Sequence, residues 1–349
     1  MTSPSWNSLT ERLLCREDLT AEDTAWVMRQ VITDRAPEAS LAGFLIALRA
    51  KGESAEEIAG LADALLADAS PLLLDLDTVD VVGTGGDQAH TVNISTMAAI
   101  TVAGAGIPVA KHGGRSVSSK SGSADVLEAL GIPLDLPPEA VLRCVTEAGI
   151  GYLFAPRFHT GLKYAAPVRR SLGVPTAFNY VAPLVNPARP RAGCVGCANP
   201  RLAPVLAQVL AQRGCSALVV RGEDGLDEIS TAAPTRIWTV SRKEVREQLL
   251  DTTDLGLPRS QPGDLRGGDA TFNAAAIHRF LDGERGPVRD AVLINAAAAI
   301  AAHRGLDGDL HRLLAHGLTE AAQAVDSGAA KATLERWVTT AASARNTGD

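Results

Sequence analysis

Two segments rich in glycine, hydroxyl and basic residues have the composition of loops that bind anions. The first begins with GTGGD, which contains Gly83, Gly86 and Asp87. Backbone N–H groups of a glycine-rich turn can converge on an anion, and the N-terminus of a following helix adds free N–H groups and partial positive charge. Further polar donors follow at Thr91, Asn93, Ser95 and Thr96. The glycine spacing fits neither a Walker A loop nor a dinucleotide fingerprint, so a tight turn followed by a helix cap is the simpler alternative.

The second segment, KHGGRSVSSKSGSAD at residues 111–125, also follows a predicted strand and leads into a helix. Lys111 supplies a point charge for a phosphate, whereas Arg115 is either a second phosphate ligand or a structural salt-bridge partner. Hydroxyls come from Ser118, Ser119 and Ser123. Two such loops at neighbouring strand ends share the crevice in which open α/β sheets bind ligands. Together they predict a site for a pyrophosphate and a 5′-phosphate, with a solvated loop as the alternative.

A third segment, GEDGLDEIS at residues 222–230, follows another predicted strand and contains the adjacent acids Asp227 and Glu228. Mg²⁺ is usually held by one or two carboxylates together with phosphates and water. A run of acids is more often a solvated turn, but beside two phosphate loops we expect a metal site. Arg169 and Arg170 lie on a predicted helix about 100° apart, so at most one faces a given anionic substrate.

The composition excludes several other classes of protein. The net charge of −7 over 349 residues argues against a nucleic-acid backbone binder, which needs a basic face. The apolar run at 291–302 is too short to span a bilayer and predicts a buried helix. The N-terminus lacks the pattern of a signal peptide, and the CVGC pair Cys194 and Cys197 has no second metal-ligand pair. We therefore expect a reduced, cytoplasmic protein with no membrane or nucleic-acid partner.

The elements that carry these segments fall into two parts. Before residue 70 the pattern predicts three amphipathic helices that start near Thr20, Pro37 and Ser54, the last with Glu57 in a capping box. From about residue 76, strands alternate with helices, which predicts an α/β fold with a mainly parallel sheet. A helix is expected at 157–173, a proline-punctuated loop at 175–187 and a helical tail from about 272. The predicted domains are 1–73, with helices from about 157–185 packed on it, and 74–349.

The motifs together resemble the anthranilate phosphoribosyltransferase family over nearly the whole chain. They are GTGGD, NIST, KHG.R..SSKSGSADVLEALG, FAPRFH, VRR.LG and GEDGLDE. The resemblance implies a small helical domain joined to a large α/β domain, in the two-domain fold shared with nucleoside phosphorylases, and a homodimer formed through the helical domains. It implies transfer of the phosphoribosyl group from phosphoribosyl pyrophosphate to the amine of anthranilate.

The resemblance also assigns residues. The expected donor site comprises Gly83, Gly86, Asp87, Thr91, Asn93, Ile94, Ser95, Thr96, Lys111, Arg115, Ser118, Ser119 and Ser123. Two Mg²⁺ ions are expected on Ser95, Asp227 and Glu228. The expected acceptor site comprises Gly83, His112, Gly114, Pro156, Arg169 and Ala182, with Arg169 meeting the anthranilate carboxylate.

Several residues depart from the family pattern. Gly114 stands where the family usually has Asn, Thr160 where it has Pro, Ala182 where it has Gly, and Val185 where it has Thr. Gln88 stands where Gly is common, and Arg221 where His is common. Several of these changes fall on the acceptor side, so a different aromatic carboxylate acceptor is an alternative to anthranilate. A nucleoside phosphorylase and a non-catalytic nucleic-acid-binding relative are further alternatives, which the metal carboxylates and the acidic charge disfavour.

Overall fold

The computed structural model describes residues 4–115 and 120–345. Its N-terminal part contains the helices α1 (Trp6–Leu14), α2 (Ala21–Ile32), α3 (Glu38–Lys51) and α4 (Ala55–Asp68). Thr20 and Ser54 form capping boxes with Asp23 and Glu57, as their spacing indicates. The three predicted helices are confirmed, and α1 is a fourth that the pattern analysis missed.

One mixed sheet occupies the middle of the large α/β part. The strands of the described residues are β1 (Val79–Gly83), β2 (Val109–Gly113), β3 (Ile150–Phe154), β4 (Ala192–Gly196), β5 (Ser216–Gly222), β6 (Thr235–Ser241) and β7 (Glu244–Leu250). Their order is β3-β2-β1-β4-β5-β6-β7, and the first five are parallel whereas β6 and β7 are antiparallel. The predicted mainly parallel sheet is therefore confirmed. The strand order reverses between β1 and β4, the place where such sheets form a ligand crevice.

Most of the later helices cover the two faces of the sheet, whereas the two short helices at 166–172 and 177–181 contact α3 and α4 of the N-terminal part. The later helices are α5 (Ile94–Gly104), α6 (Ser123–Ala129), α7 (Pro138–Arg143), α8 (Ala155–Phe158), α9 (Ala166–Leu172), α10 (Ala177–Val181), α11 (Ala203–Gln212), α12 (Ala270–Leu281), α13 (Pro287–Arg304), α14 (Leu310–Asp326) and α15 (Ala329–Arg345). Helix α7 continues as a π-helical turn at Cys144–Ala148. The helical tail and the burial of its apolar run are confirmed. No helix in the described part of the chain is both long enough and apolar enough to cross a membrane.

The segment between β3 and β4 corrects two sequence expectations. The helix expected at 157–173 is broken into α8, a 3₁₀ turn at Thr160–Ala165, and α9. Gly161 in that turn approaches α2 so closely that a Cβ atom would lie 2.7 Å from Cβ of Ile32. The loop expected at 175–187 instead contains α10 and a 3₁₀ turn, and Oδ1 of Asn179 accepts the Thr176 N–H group at 3.0 Å at the start of α10.

Each face of the sheet has its own hydrophobic cluster. Val81 of β1 joins the cluster that contains α5 and α13, whereas Val82 joins the cluster that contains α2, α3, α4 and α11. The core of the helical bundle is therefore continuous with one face of the sheet. Cys194 and Cys197 lie in opposite clusters, and both are buried free thiols. Because successive strand residues alternate between faces, the CVGC pair does not form a chelating or redox pair.

Glu57 joins three parts of the helical bundle. Its carboxylate accepts the N–H groups of Leu19 (2.9 Å) and Ser54 (2.7 Å) and pairs with the ammonium of Lys51 (2.9 Å). Its side chain is fully buried and so is its bond to Leu19, so water cannot replace the carboxylate at that N–H group. The single carboxylate therefore fixes the α1–α2 connection against the start of α4.

Glu57→Ala is expected to lower the free energy of unfolding by about 3 kcal/mol, because it leaves buried donors unpaired. The matched control is Glu56→Ala, since exposed Glu56 accepts only the Ala21 N–H group, at 3.3 Å. The control should change stability by less than about 1 kcal/mol. Urea denaturation followed by circular dichroism measures both; equal losses would contradict the role of Glu57.

Candidate active site

The loop that follows β5 enters the sheet crevice through a gap made by two glycines. Gly83 and Gly196 are register partners at the carboxyl ends of β1 and β4. A Cβ atom on Gly83 would lie 2.3 Å from Oδ2 of Asp227, and one on Gly196 would lie 1.6 Å from the Asp227 carbonyl oxygen. Both distances are far below van der Waals contact. Glycine at these two positions is therefore what allows the Asp227 loop to reach the strand ends.

Asp227 and Glu228 form the floor of a small acidic cluster. The Asp227 carboxylate accepts the Gly85 N–H group at 2.7 Å, and Asp227 is 8% exposed. Burial raises the pKa of Asp227 to about 7, and the nearby Asp87 carboxylate adds to the increase. Burial, followed by repulsion from Asp227, also raises the pKa of Glu228 well above its usual value, although the Ser95 N–H group donates to it. These carboxylates repel one another and favour an added cation.

Lys111 lies beneath this cluster. It is 1% exposed, and its ammonium group donates to the Val81 carbonyl oxygen and to Oγ of Ser95, the latter at 3.3 Å. Burial lowers the pKa of Lys111, whereas the carboxylates of Asp80, Glu228 and Asp227 oppose that change. The structure thus places the charge of Lys111 below Ser95 and among carboxylates, and does not expose it to the crevice.

The acidic cluster fits magnesium. Its donors are carboxylate and hydroxyl oxygens, which Mg²⁺ prefers. Over residues 4–115 and 120–345, no group of three or more His, Cys, Asp or Glu side chains is arranged to hold a metal by itself. A cation here would therefore complete its shell with substrate phosphates and water, as Mg²⁺ commonly does. Ser95, Asp227 and Glu228 are the residues that would hold it.

The first predicted anion loop adopts a left-handed backbone over several residues. Gly85 and Gly86 have φ angles of +67° and +85°, and Gln88 and His90 have φ angles of +58° and +52°. Left-handed backbone favours glycine, so the preference for glycine at position 88 has a conformational reason. Gln88 accepts that conformation here without a glycine. The loop ends at α5, whose first turn presents Ser95 to the acidic cluster.

The second predicted anion loop is described only at its two ends. Ser118 and Ser119 lie outside the described residues. At the far end, Oγ1 of Thr96 donates to Oγ of Ser123 at 3.3 Å, which joins α5 to α6. At the near end, Arg115 pairs with Asp125 (2.8 Å) and Glu128 (2.7 Å), as the structural alternative predicted.

Other predicted donor residues differ in what they offer to a ligand. The Ile94 side chain is 1% exposed and belongs to the hydrophobic core, so only its backbone faces the loop. Thr91 pairs with Arg266 in an isolated bridge, which ties the loop to the segment before α12. Gly86 is exposed and Asp87 is partly exposed at the mouth of the crevice.

Arg169 is the outstanding cation on the predicted acceptor side. It is half-buried on α9, burial lowers its pKa, and no hydrogen bond or ion pair of its guanidinium is found within the described residues. Its neighbour Arg170 is exposed, as the 100° separation of consecutive helix residues predicts. A half-buried guanidinium without a partner is suited to bind a carboxylate. Pro156 is exposed on α8.

Two buried histidines anchor the turn that carries Ala182 and Val185. Nδ1 of His112 lies 3.2 Å from the Ala182 carbonyl oxygen, and Nε2 of His159 lies 2.8 Å from that of Val185. The rings meet edge to face at a centroid distance of 5.2 Å. A carbonyl only accepts, so these nitrogens carry the protons. Nε2 of His112 is buried with no protein partner in the described part of the chain.

Gly114 does not need to be glycine. Its φ is not in the left-handed region, and a Cβ atom there would have no neighbour within 4 Å among residues 4–115 and 120–345. An asparagine would therefore fit at this position, and its absence removes an amide while the Gly114 carbonyl oxygen accepts the Tyr152 hydroxyl at 3.4 Å. Open space at Gly114 is compatible with either acceptor considered above.

The sequence analysis missed the buried pair Asp80 and Asn186. Nδ2 of Asn186 donates to the Asp80 carboxylate (2.8 Å) and to the Ala110 carbonyl oxygen (2.7 Å), which fastens the 182–188 segment to the sheet. Burial raises the pKa of Asp80 to about 6 although Lys111 opposes the change. A lone acid within the apolar strand VDVVG is the signal that could have identified it.

Comparisons with known proteins agree with this geometry. The helical bundle domain of a glycosyl transferase family matches residues 7–69, and the a/b domain of that family matches residues 75–331. The two domains and the oxygen-rich crevice between β1 and β4 thus define a glycosyl transferase.

Individual relatives show which kind of glycosyl transferase this chain resembles. The anthranilate phosphoribosyltransferase of Salinispora arenicola is 58% identical over 349 residues, covering 99% of each chain, and that of Saccharopolyspora erythraea is 53% identical, covering 95% of each. The crystal structure of the Thermus thermophilus enzyme superposes with a TM-score of 0.89 at 38% identity, covering 96% of this chain and 99% of that one. The Saccharomyces cerevisiae enzyme in complex with PRPP and Mg superposes with a TM-score of 0.87 at 28% identity, covering 97% and 98%. The chain belongs to the anthranilate phosphoribosyltransferase family.

The buried histidine generates a pH prediction. Burial lowers the pKa of His112 to about 3, from an ordinary value of about 6.5, so the folded protein keeps this imidazole neutral whereas the unfolded chain protonates it. The unfolded state then binds more protons below pH 6.5, and stability falls as the pH falls. Between pH 7.5 and pH 5.0 this group should cost about 2 kcal/mol of stability.

His112→Gln is expected to remove about 2 kcal/mol from the loss of stability between pH 7.5 and pH 5.0. Urea denaturation at both pH values, fitted to a two-state transition, gives the difference. His278→Gln is the matched control because His278 is exposed, and it should retain the full loss. Identical pH dependence in all three proteins is inconsistent with a neutral, buried His112.

Proposed function

We propose that the protein transfers the 5-phosphoribosyl group from phosphoribosyl pyrophosphate to the amine of anthranilate, with Mg²⁺, and releases pyrophosphate. The observation that carries the proposal is the position of Asp227 and Glu228. Gly83 and Gly196 admit them to the strand ends, beside the first turn of α5. Gly85, Ser95 and Lys111 contact this place or one another beside it, which supports the proposed donor site. Relatives with 50–58% identity that cover nearly the whole chain are anthranilate phosphoribosyltransferases.

Departure of pyrophosphate leaves a cationic, oxocarbenium-like sugar and adds negative charge to the leaving group. Bound Mg²⁺ would neutralise part of that charge, with two ions expected. The chain's own contribution is the N-terminal end of α5, whose partial positive charge and Ser95 hydroxyl lie beside the metal carboxylates. Lys111 supports Ser95 from below and balances the buried carboxylates.

The acceptor amine attacks as a neutral nucleophile, so the reaction requires no strong general base. Positioning beside the anomeric carbon and exclusion of water supply much of the rate. We assign the carboxylate of the acceptor to Arg169, which the described contacts leave unpaired. His112, Gly114, Pro156 and Ala182 are proposed to line the acceptor side.

Anthranilate is favoured over a different aromatic carboxylate. The departures at Gly114, Ala182 and Val185 are the reason to consider a different acceptor. The bacterial relatives described above, however, are anthranilate phosphoribosyltransferases. The Saccharomyces cerevisiae enzyme also has a structure in complex with 4-fluoroanthranilate. A substituted aminobenzoate is thus close in chemistry to the proposed acceptor.

We further propose a cytoplasmic homodimer formed through the helical domain. Leu14 at the end of α1 is 67% exposed and Ile46 on α3 is 41% exposed, which are apolar side chains suited to a subunit interface. The cysteines at positions 15, 144, 194, 197 and 215 are free thiols, as expected in a reducing compartment.

The activity is tested by the fluorescence of anthranilate. Purified protein with phosphoribosyl pyrophosphate, Mg²⁺ and anthranilate should consume the signal, and Asp227→Asn with Glu228→Gln should reduce the rate at least about 100-fold. The matched control is Glu223→Gln in the same motif, since exposed Glu223 pairs with Arg236 at 3.0 Å. If folded wild-type protein binds the donor but leaves anthranilate unchanged, anthranilate is not the acceptor. Other aromatic carboxylates would then be tested.

Arg169→Ala should raise KM for anthranilate by about 10- to 100-fold and change KM for the donor by less than about twofold, because one charged two-pronged contact is lost. Arg170→Ala is the control, since that side chain is exposed and should leave both constants unchanged. Steady-state kinetics with each substrate varied in turn measures the split. Equal changes in both KM values would contradict the assignment of Arg169 to the acceptor site.

A further inference from the structure

Two buried asparagines on the C-terminal helices reach toward the two halves of the site. Asn273 on α12 is 1% exposed, and Asn295 on α13 is 0% exposed. Both lie in the segment GGDATFN…VLINAA, which the donor, acceptor and metal assignments do not use. A fully buried amide side chain is retained only where its donors and acceptor are satisfied, so the partners of these two amides show what they fix.

Asn295 holds the backbone beside the metal carboxylates. Its Oδ1 accepts the Ile229 N–H group at 2.9 Å, and its Nδ2 donates to the Ile229 carbonyl oxygen at 3.0 Å. A third bond, from Nδ2 to the Ala291 carbonyl oxygen at 2.9 Å, anchors the amide to its own helix. Both backbone polar groups of Ile229 are therefore bound to one side chain. Ile229 directly follows Glu228 in the sequence. Asn295 on α13 therefore fixes the backbone position from which the Glu228 side chain extends.

Asn273 holds the donor loops in a similar way. Its Oδ1 accepts the Gly268 N–H group at 2.9 Å, and its Nδ2 donates to Oδ1 of Asn93 at 2.8 Å. Nδ2 of Asn93 then donates to the Ser121 carbonyl oxygen at 3.2 Å. An N–H group only donates and a carbonyl only accepts, so the ends of this chain fix the orientation of both amides. One relay thereby connects α12, the first donor loop and the second.

The relay explains why Asn93 does not cap its helix. Asn93 occupies the N-cap position of α5, yet its side chain makes no capping hydrogen bond. An asparagine there ordinarily satisfies the N–H group of the second or third helical residue. The Asn93 side chain is hydrogen-bonded to Asn273 and to the Ser121 carbonyl oxygen instead. The Ser95 N–H group in the first turn of α5 therefore donates to Glu228 and not to Asn93. The Ser95 N–H group is thereby kept for the metal carboxylate, while the N–H groups of Ile94 and Thr96 donate to the Val92 and Asn93 carbonyl oxygens.

We propose that Asn273 and Asn295 are positioning residues for phosphoribosyl transfer, Asn295 for the metal carboxylates and Asn273 for the two donor loops. This assignment rests on the proposed function. Neither residue touches a substrate; each acts through the backbone or side chain that it holds. The C-terminal helices therefore set the distance between the metal site and the donor loops.

The test exploits the separation of the two roles. Asn295→Asp and Asn273→Asp keep the size and the Oδ1 acceptor of each side chain but remove the Nδ2 donor. The carboxylate introduced by Asn295→Asp would repel the Ile229 carbonyl oxygen, and the one introduced by Asn273→Asp would repel Oδ1 of Asn93. Each variant serves as the matched control of the other. Ile300→Ala, a buried apolar change on α13 with no polar contact, supplies a general loss of stability.

The first readout is hydrogen exchange of the substrate-free protein, which does not depend on activity. Asn295→Asp should accelerate exchange of amides at 227–230 more than at 93–97, and Asn273→Asp should do the reverse. The second readout is calorimetric binding. Asn295→Asp should weaken Mg²⁺ binding in the presence of phosphoribosyl pyrophosphate by about tenfold or more. In steady-state kinetics, Asn273→Asp should raise KM for phosphoribosyl pyrophosphate by about tenfold.

Neither variant should change KM for anthranilate more than about twofold, because neither amide contacts the acceptor side. The proposal would be overturned if hydrogen exchange rose equally at 227–230 and at 93–97 in both variants. It would also be overturned if the binding and Michaelis constants changed only in proportion to the fall in melting temperature, as expected for Ile300→Ala. If the Asp variants do not fold, Asn273→Ser and Asn295→Ser carry the same comparison. Wild-type protein that leaves anthranilate unchanged would instead refute the proposed function, while the exchange pattern would still decide the positioning roles.

Discussion

The close approach of the Asp227 loop to the ends of β1 and β4 is the contact on which the site depends. A polar loop can come this near to a parallel sheet only where no side chain intervenes, and the facing pair Gly83 and Gly196 provides that gap. The approach buries carboxylates that water would otherwise solvate. Three groups compensate for that burial: a backbone N–H group from Gly85, another from Ser95, and the ammonium group of Lys111.

The electrostatic balance of the crevice is incomplete without a ligand. One lysine faces the carboxylates of Asp80, Asp227 and Glu228, and Asp87 stands beside them. Because the groups are buried, their mutual repulsion is only weakly screened. A divalent cation carried with a polyphosphate supplies the missing positive charge and satisfies oxygen donors at once. The same arrangement disfavours a free phosphate that arrives without a cation.

Much of the fold was accessible from sequence because the patterns were local. The capping boxes at Thr20 and Ser54, the glycine-rich turn after β1 and the alternation of strands with helices each depend on residues within a few positions. The expectation for 157–187 failed because tertiary contacts decide it, such as Gly161 against Ile32. The paired acids Asp227 and Glu228 were found from their motif, but Asp80, Asn186 and Gly196 were not, since their partners lie about 30 to 100 residues away in the sequence.

The hydrophobic cluster that joins the helical bundle to one face of the sheet has a consequence for biosynthesis. Helices α2, α3 and α4 share that cluster with Ala165, Val181, Leu206 and Trp238, which are translated much later. The bundle therefore leaves the ribosome with part of its apolar surface uncovered, because a nascent chain grows by only about 5–20 residues per second. Helices α2, α3 and α4 are synthesised first, but part of their apolar surface is covered only by residues that are synthesised later. Packing of the bundle against the sheet is therefore completed only after these later residues are made, although synthesis begins with the bundle.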